Sequence, residues 1–286
     1  MQVVKVVNDP RSLHVVARRN PARPDKKAIL DFKPARDGFG FANVFTWTND
    51  DLEALTAELG PLLKGLGVGL PAVLGRAVGG RRGLLVGLTA GAALSFSTAS
   101  DVLIRKMAQR WRTFGLCGGM ALLAKERWKA ATEGTTSELK RDAIRPILRL
   151  RQARTVRASW PRFLKYWLQA HAAEGVFSRE ELQAEAEKTQ TEIDAGRLAI
   201  LGLVGDTPDP FATHQVVAFG YEDGAGRTDF HVYDPNGPGR TRHVVVSEKD
   251  DRTVIETDLP TGPKKEGGYH ISKTAGVLSM MFVVDA

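Results

Sequence analysis

At Arg197 the chain changes period, and this switch limits the available folds more than anything else in the sequence. Upstream, apolar residues recur at helical spacing, as in Met120, Leu123, Ala124, Trp128 and Ala131. Downstream come short β-rich runs: Leu198 to Val204, His214 to Tyr221, Thr228 to Tyr233, Arg242 to Ser247, Arg252 to Thr257 and Val277 to Asp285. Asp223-Gly224 and Asn236-Gly237 supply turn signals between them. A helical half followed by an antiparallel half predicts an α+β fold, with 1–196 mainly helical and 197–286 antiparallel β. The two halves are read as one integrated domain.

Within the first half, residues 1–48 read as short strands and loops, starting with a strand at Met1 to Val7 and broken at Asn20-Pro21, Arg23-Pro24 and Lys33-Pro34. Asp50 or Asp51 is expected to cap a helix through Leu59, stopped by Gly60-Pro61. A Gly-rich apolar tract follows over 62–100. A helix should open just after Cys117 and run to Ala131. Residues 137–173 read as helix interrupted at Pro146 and Pro161, because proline removes a backbone donor and crowds the preceding turn. A helix over 178–195 should be capped by Ser178, with Glu181 completing a capping box.

A composition of 43% hydrophobic and 26% charged residues excludes a disordered, collagen-like or coiled-coil chain. The N-terminus lacks the basic, apolar and small-residue order of a signal peptide. Gly83 to Ser100 has the length of a spanning helix, but its glycines and hydroxyls make it a poor one. The chain is expected to be soluble and cytoplasmic, or exported without a cleavable signal peptide.

Among 286 residues there is one cysteine, Cys117, so no internal disulfide forms. It lies in Phe114-Gly-Leu-Cys-Gly-Gly-Met120, at the start of the expected helix. Free amides and the positive dipole end there favour a thiolate, and the Cys117 N–H is sited as an oxyanion donor. Gly118 and Gly119 remove side chains where a substrate carbonyl would approach the backbone. The competing reading is that a lone thiol is a small buried hydrophobe.

A hairpin centred on Gly224 sets His214 directly opposite Asp234 on one sheet face, ending an apolar stripe of Val216, Ala218, Phe230 and Val232. A carboxylate so placed orients the imidazole and stabilises its cation, leaving the other ring nitrogen for a thiol. His231 falls on the opposite face. The six histidines, at 14, 171, 214, 231, 243 and 270, show no close-spaced ligand pair, so no metal and no cofactor is expected. Nor does any glycine-rich stretch match a phosphate-binding loop.

Leu-Cys-Gly-Gly-Met, then His-x-Val-Val-Ala-x-Gly-Tyr, then Val-Tyr-Asp-Pro-Asn, resemble the papain-like cysteine peptidase superfamily, and its bacterial members most closely. The likeness covers residues 111 to 236 in motif and the C-terminal strands in pattern. It implies Cys117 as nucleophile, His214 as general base and acid, and Asp234 as orienting residue, with Asn236 the alternative. It implies a protein or peptide substrate and cleavage through a thioester. Two positions depart from it. The oxyanion-hole Gln usual six residues before the cysteine is Trp111 here, with Gln109 nearby as a substitute. The gap from Cys117 to His214 is also shorter than the roughly 130–150 residues of papain-type enzymes. Deamidases and transglutaminase-like acyltransferases share the chemistry, so the resemblance leaves them open.

Forty Lys and Arg against 33 Asp and Glu give a net charge of +7, concentrated between Lys140 and Lys165. That segment interleaves Trp160, Phe163, Tyr166 and Trp167. A solvated helix face is the plain reading and nucleic acid is not expected. The alternative of another class is a non-catalytic or membrane-active binding protein, meeting an anionic surface through Lys140–Lys165 and Gly83–Ser100.

Overall fold

The computed structural model describes residues 26–54, 57, 113–131, 134–170, 177–205, 213–224, 226–249, 252–259 and 277–286. The expected strand at Met1 to Val7, the end of the helix towards Leu59, the tract over 62–100 with Gly83–Ser100, Gln109 and Trp111 lie outside them.

The chain is α+β. Strand β1 (Lys26–Ile29), helix α1 (Pro34–Asp37) and strand β2 (Phe45–Thr46) precede β3 (Thr113–Phe114) and α2 (Cys117–Lys129). Helices α3 (Arg141–Ala170) and α4 (Arg179–Asp194) follow. Then come β4 (Ala199–Val204), β5 (His214–Gly224), β6 (Arg227–Tyr233), β7 (Thr241–Lys249), β8 (Arg252–Thr257), β9 (Val277–Leu278) and β10 (Met280–Val283).

β4 to β8 form an antiparallel meander. The C-terminal run then curls it: β9 pairs with β8 at one end while β10 pairs with β4 at the other. Only Ser279 separates the two segments, and its N–H donates to the Val204 carbonyl at 2.8 Å. Closure leaves neither β4 nor β8 as a free edge. β5 spans two neighbours on one side. Its first half, 214–218, pairs with β4, and its second, 220–223, with β1. Phe219 sits where the partner changes, as a bulge.

Local signals explain the helices, with two corrections. Helix α4 starts as expected: the Ser178 hydroxyl accepts from Glu181 N–H at 3.1 Å, and the Glu181 carboxylate bonds back to the Ser178 backbone. The helical turn over 49–54 is capped by Thr48 rather than Asp50 or Asp51. Asp51 closes that capping box instead, accepting from Thr48 N–H at 2.9 Å and carrying an ion pair to Arg145. The second correction is that α3 is unbroken: Pro146 and Pro161 lie inside one helix of 30 residues. Each removes one intrahelical bond, but burial of Leu148, Trp160, Phe163, Tyr166 and Trp167 on α3 holds the helix across both.

Candidate functional site

Cys117 is the first residue of α2, and the glycines after it are there for packing. A Cβ on Gly119 would lie 2.2 Å from the Leu148 carbonyl of α3, and one on Gly118 would lie 2.2 Å from the Thr155 hydroxyl and 2.6 Å from Gln215 Oε1. Both therefore face protein rather than open space for a substrate, which replaces the expectation drawn from the sequence. Gly119 N–H donates to Gln152 Oε1 at 2.9 Å, and Met120 N–H to the Leu116 carbonyl. The Cys117 N–H keeps no protein acceptor among the described residues.

His214 opens β5 and Asp234 follows β6 directly. The hairpin between them differs from the expected one. Its innermost pair is Gly224 with Arg227, so the turn lies beyond Gly224. Continued unbroken, that register would put His214 opposite Gly237 and send His214 and Asp234 to opposite faces. The bulge at Phe219 takes up one residue, and below it Ala218 pairs Val232 and Val217 pairs Tyr233. In that register His214 faces Asn236, and Asp234 sits one pair along on the same face. They meet diagonally rather than directly opposite.

The resulting contact is short and dry. His214 is 3% exposed and Asp234 fully buried, and His214 Nε2 donates to Asp234 Oδ1 at 2.6 Å. The Cys117 thiol stands beside the same imidazole, close enough to favour its charged form. Burial alone would push the imidazole toward its neutral form, but the Asp234 charge and hydrogen bond, reinforced by Cys117, outweigh it and raise the pKa to about 10. Burial likewise works against the Asp234 carboxylate, yet the imidazolium, the Asn236 N–H at 2.7 Å and the Arg242 charge hold its pKa below the usual range.

Asn236 takes a different part from Asp234. Its side-chain amide nitrogen lies 3.3 Å from His214 Nε2, whose N–H is donated to Asp234, so it packs beside the ring without accepting from it. Asn236 Oδ1 accepts from Asn43 Nδ2 at 3.3 Å. Asn43, which the sequence reading passed over, joins the halves of the site. Its Oδ1 accepts from Leu116 N–H, one residue before the thiol, and its own N–H donates to the Pro235 carbonyl at 2.9 Å. Gly115 makes the room, since a Cβ there would stand 2.6 Å from Asn43 Nδ2. The β2–β3 pairing, Phe45 with Phe114, fixes the same segment beside the Cys117 helix. Nothing in Phe41-Ala-Asn-Val-Phe45 marks Asn43 locally, because its partners are remote in sequence.

The basic stretch is largely committed internally. Arg145 and Arg149 pair with Asp51, Arg151 and Arg154 with Glu126, Arg162 with Glu185 and Asp285, and Lys165 with Glu181. Trp160, Phe163, Tyr166 and Trp167 are core residues, not a stacking surface. Among the described residues no helix is long and apolar enough to cross a membrane.

Comparison of the chain with protein-family models, curated proteins and solved structures finds no match.

Proposed function

We propose that this protein is a thiol hydrolase of papain-like architecture that cleaves an amide bond of a protein or peptide through a thioester. The observation that carries the reading is one buried imidazole that hydrogen-bonds a buried carboxylate and has the lone thiol beside it. The nucleophile on a helix start, facing a closed antiparallel sheet that bears the histidine and the aspartate, supports it as well.

With Nε2 committed to Asp234, the ring's Nδ1 holds the proton it shares with the Cys117 sulfur, giving the imidazolium that the Asp234 charge stabilises. The sulfur attacks the amide carbonyl carbon, and the oxyanion meets the Cys117 N–H. The His214 imidazolium, stabilised by Asp234, then protonates the leaving amine as the C–N bond breaks. Water, losing a proton to His214, opens the thioester and releases the acid. An amine in place of that water would give acyl transfer, so both outcomes share every step up to the thioester.

Alkylation by iodoacetamide at neutral pH tests the pair. Cys117 should react far faster than a free thiol, and His214→Ala should slow it by about 100-fold or more, in line with the loss of a general base. Equal rates in both proteins, at the free-thiol level, would remove the proposal.

A further inference from the structure

The face of β6 that points away from Phe230, Val232 and Asp234 carries a second cluster. His231 on β6 pairs directly with His243 on β7, and Asp229 lies two residues before His231 on the same face. One donor atom from each of these half-buried residues lies within 4.8 Å of the others. His243 Nδ1 is 2.8 Å from Asp229 Oδ1, and the two imidazole rings stand 5.1 Å apart. Glu222 on β5, paired with Asp229, brings a carboxylate oxygen to 3.7 Å from His231 Nε2.

We infer that Asp229, His231 and His243 form a binding site for a divalent metal ion, separate from the Cys117–His214–Asp234 site. Two imidazoles and one carboxylate make a borderline donor set, which favours Zn²⁺ over Mg²⁺ or Ca²⁺. Tetrahedral zinc with bonds of about 2.1 Å needs donors roughly 3.4 Å apart. The cluster reaches that spacing by small side-chain rotations, with the His243–Asp229 hydrogen bond giving way to two metal bonds. Glu222 is the nearest fourth donor, at present paired with Lys27, and Asp229 is paired with Arg227. Those two cations balance the carboxylates while no metal is bound. The ligands sit on adjacent paired strands of the curled sheet, so little chain entropy is lost on binding.

The test uses the full chain carrying Cys117→Ala, which removes the thiol as a rival zinc ligand. Titration with zinc chloride by calorimetry should give one ion per chain, and Co²⁺ in its place should give the visible absorption of a nitrogen- and oxygen-ligated tetrahedral site. His231→Ala and His243→Ala, each checked for an unchanged circular dichroism spectrum, should weaken binding at least tenfold. Zinc should raise the melting temperature of the Cys117→Ala protein and not of the histidine variants. Absence of saturable one-to-one binding overturns the inference, as does equal affinity in folded histidine variants. Should those variants fail to fold, Asp229→Asn provides the comparison, and unchanged affinity there also overturns it.

Discussion

Asp234 keeps its charge in a fully buried position because the imidazole beside it carries the opposite one. The two shifts make the stability of the protein depend on pH in a defined direction. The His214 pKa stands near 10 in the fold against an ordinary 6.5, so its contribution is complete below about 6.5 and is lost as the pH rises through the folded value. The Asp234 pKa is depressed from 3.8, so its contribution is present above that value and is lost as the pH falls through the lower folded one. Urea denaturation across pH should therefore show a plateau at mildly acid pH with a decline on each side. Asp234→Asn should flatten both limbs, and a decline of the same shape in the variant would show that the pair is not its source. Under the proposed thiol chemistry, the same raised pKa predicts that amide cleavage persists well above pH 6.5, where an ordinary histidine could no longer protonate the leaving amine. At this scale Cys117, His214 and Asp234 could be singled out from sequence, since each ends or begins a recognisable element. His231 and His243 were also within reach. Turn arithmetic applied to Asn236-Gly237 pairs them directly, but linear spacing hides them.

Among the elements, α2 is held by what its glycines exclude. A methyl at Gly119 would collide with the Leu148 carbonyl, which is backbone and cannot swing aside. Gly119→Ala should cost about 1–3 kcal/mol by overpacking and displace the Cys117 helix from α3. Chemical denaturation should read that loss, and a stability unchanged within error would show that the helices slide apart freely. β5 teaches the complementary lesson. Its strand character is plain in His214-Gln-Val-Val-Ala-Phe-Gly-Tyr, but the bulge at Phe219 is not. That bulge, in the pairing with β6, falls where β5 changes partner from β4 to β1 on its other side, and β1 lies nearly two hundred residues away. The proline-bearing helix α3 shows the same limit, for its continuity is decided by the core it covers.

At the scale of the molecule, Glu185 ties three elements together. From α4 it accepts from Tyr166 Oη and Val283 N–H, each at 3.1 Å, and it pairs with Arg162 of α3. Glu185→Ala would leave Tyr166 Oη and Val283 N–H without their acceptor and Arg162 with only Asp285 and the Val283 carbonyl, a loss of about 1–3 kcal/mol for buried groups left unsatisfied. Thermal unfolding should record a lower midpoint, and one equal to wild type would show that closure does not depend on this residue. The sequence by itself determined the α+β class, most strand and helix positions, and which three residues to look for in the candidate site, because these follow from local period, capping chemistry and turn residues. Only the tertiary structure decided that the C-terminal run curls the sheet, that Asn43 joins the two halves of the site, and that His214 and Asp234 meet diagonally through the bulge at Phe219. Each of these depends on backbone pairing or packing between residues far apart in the chain. No local pattern encodes such contacts, since they form only once the intervening chain has folded.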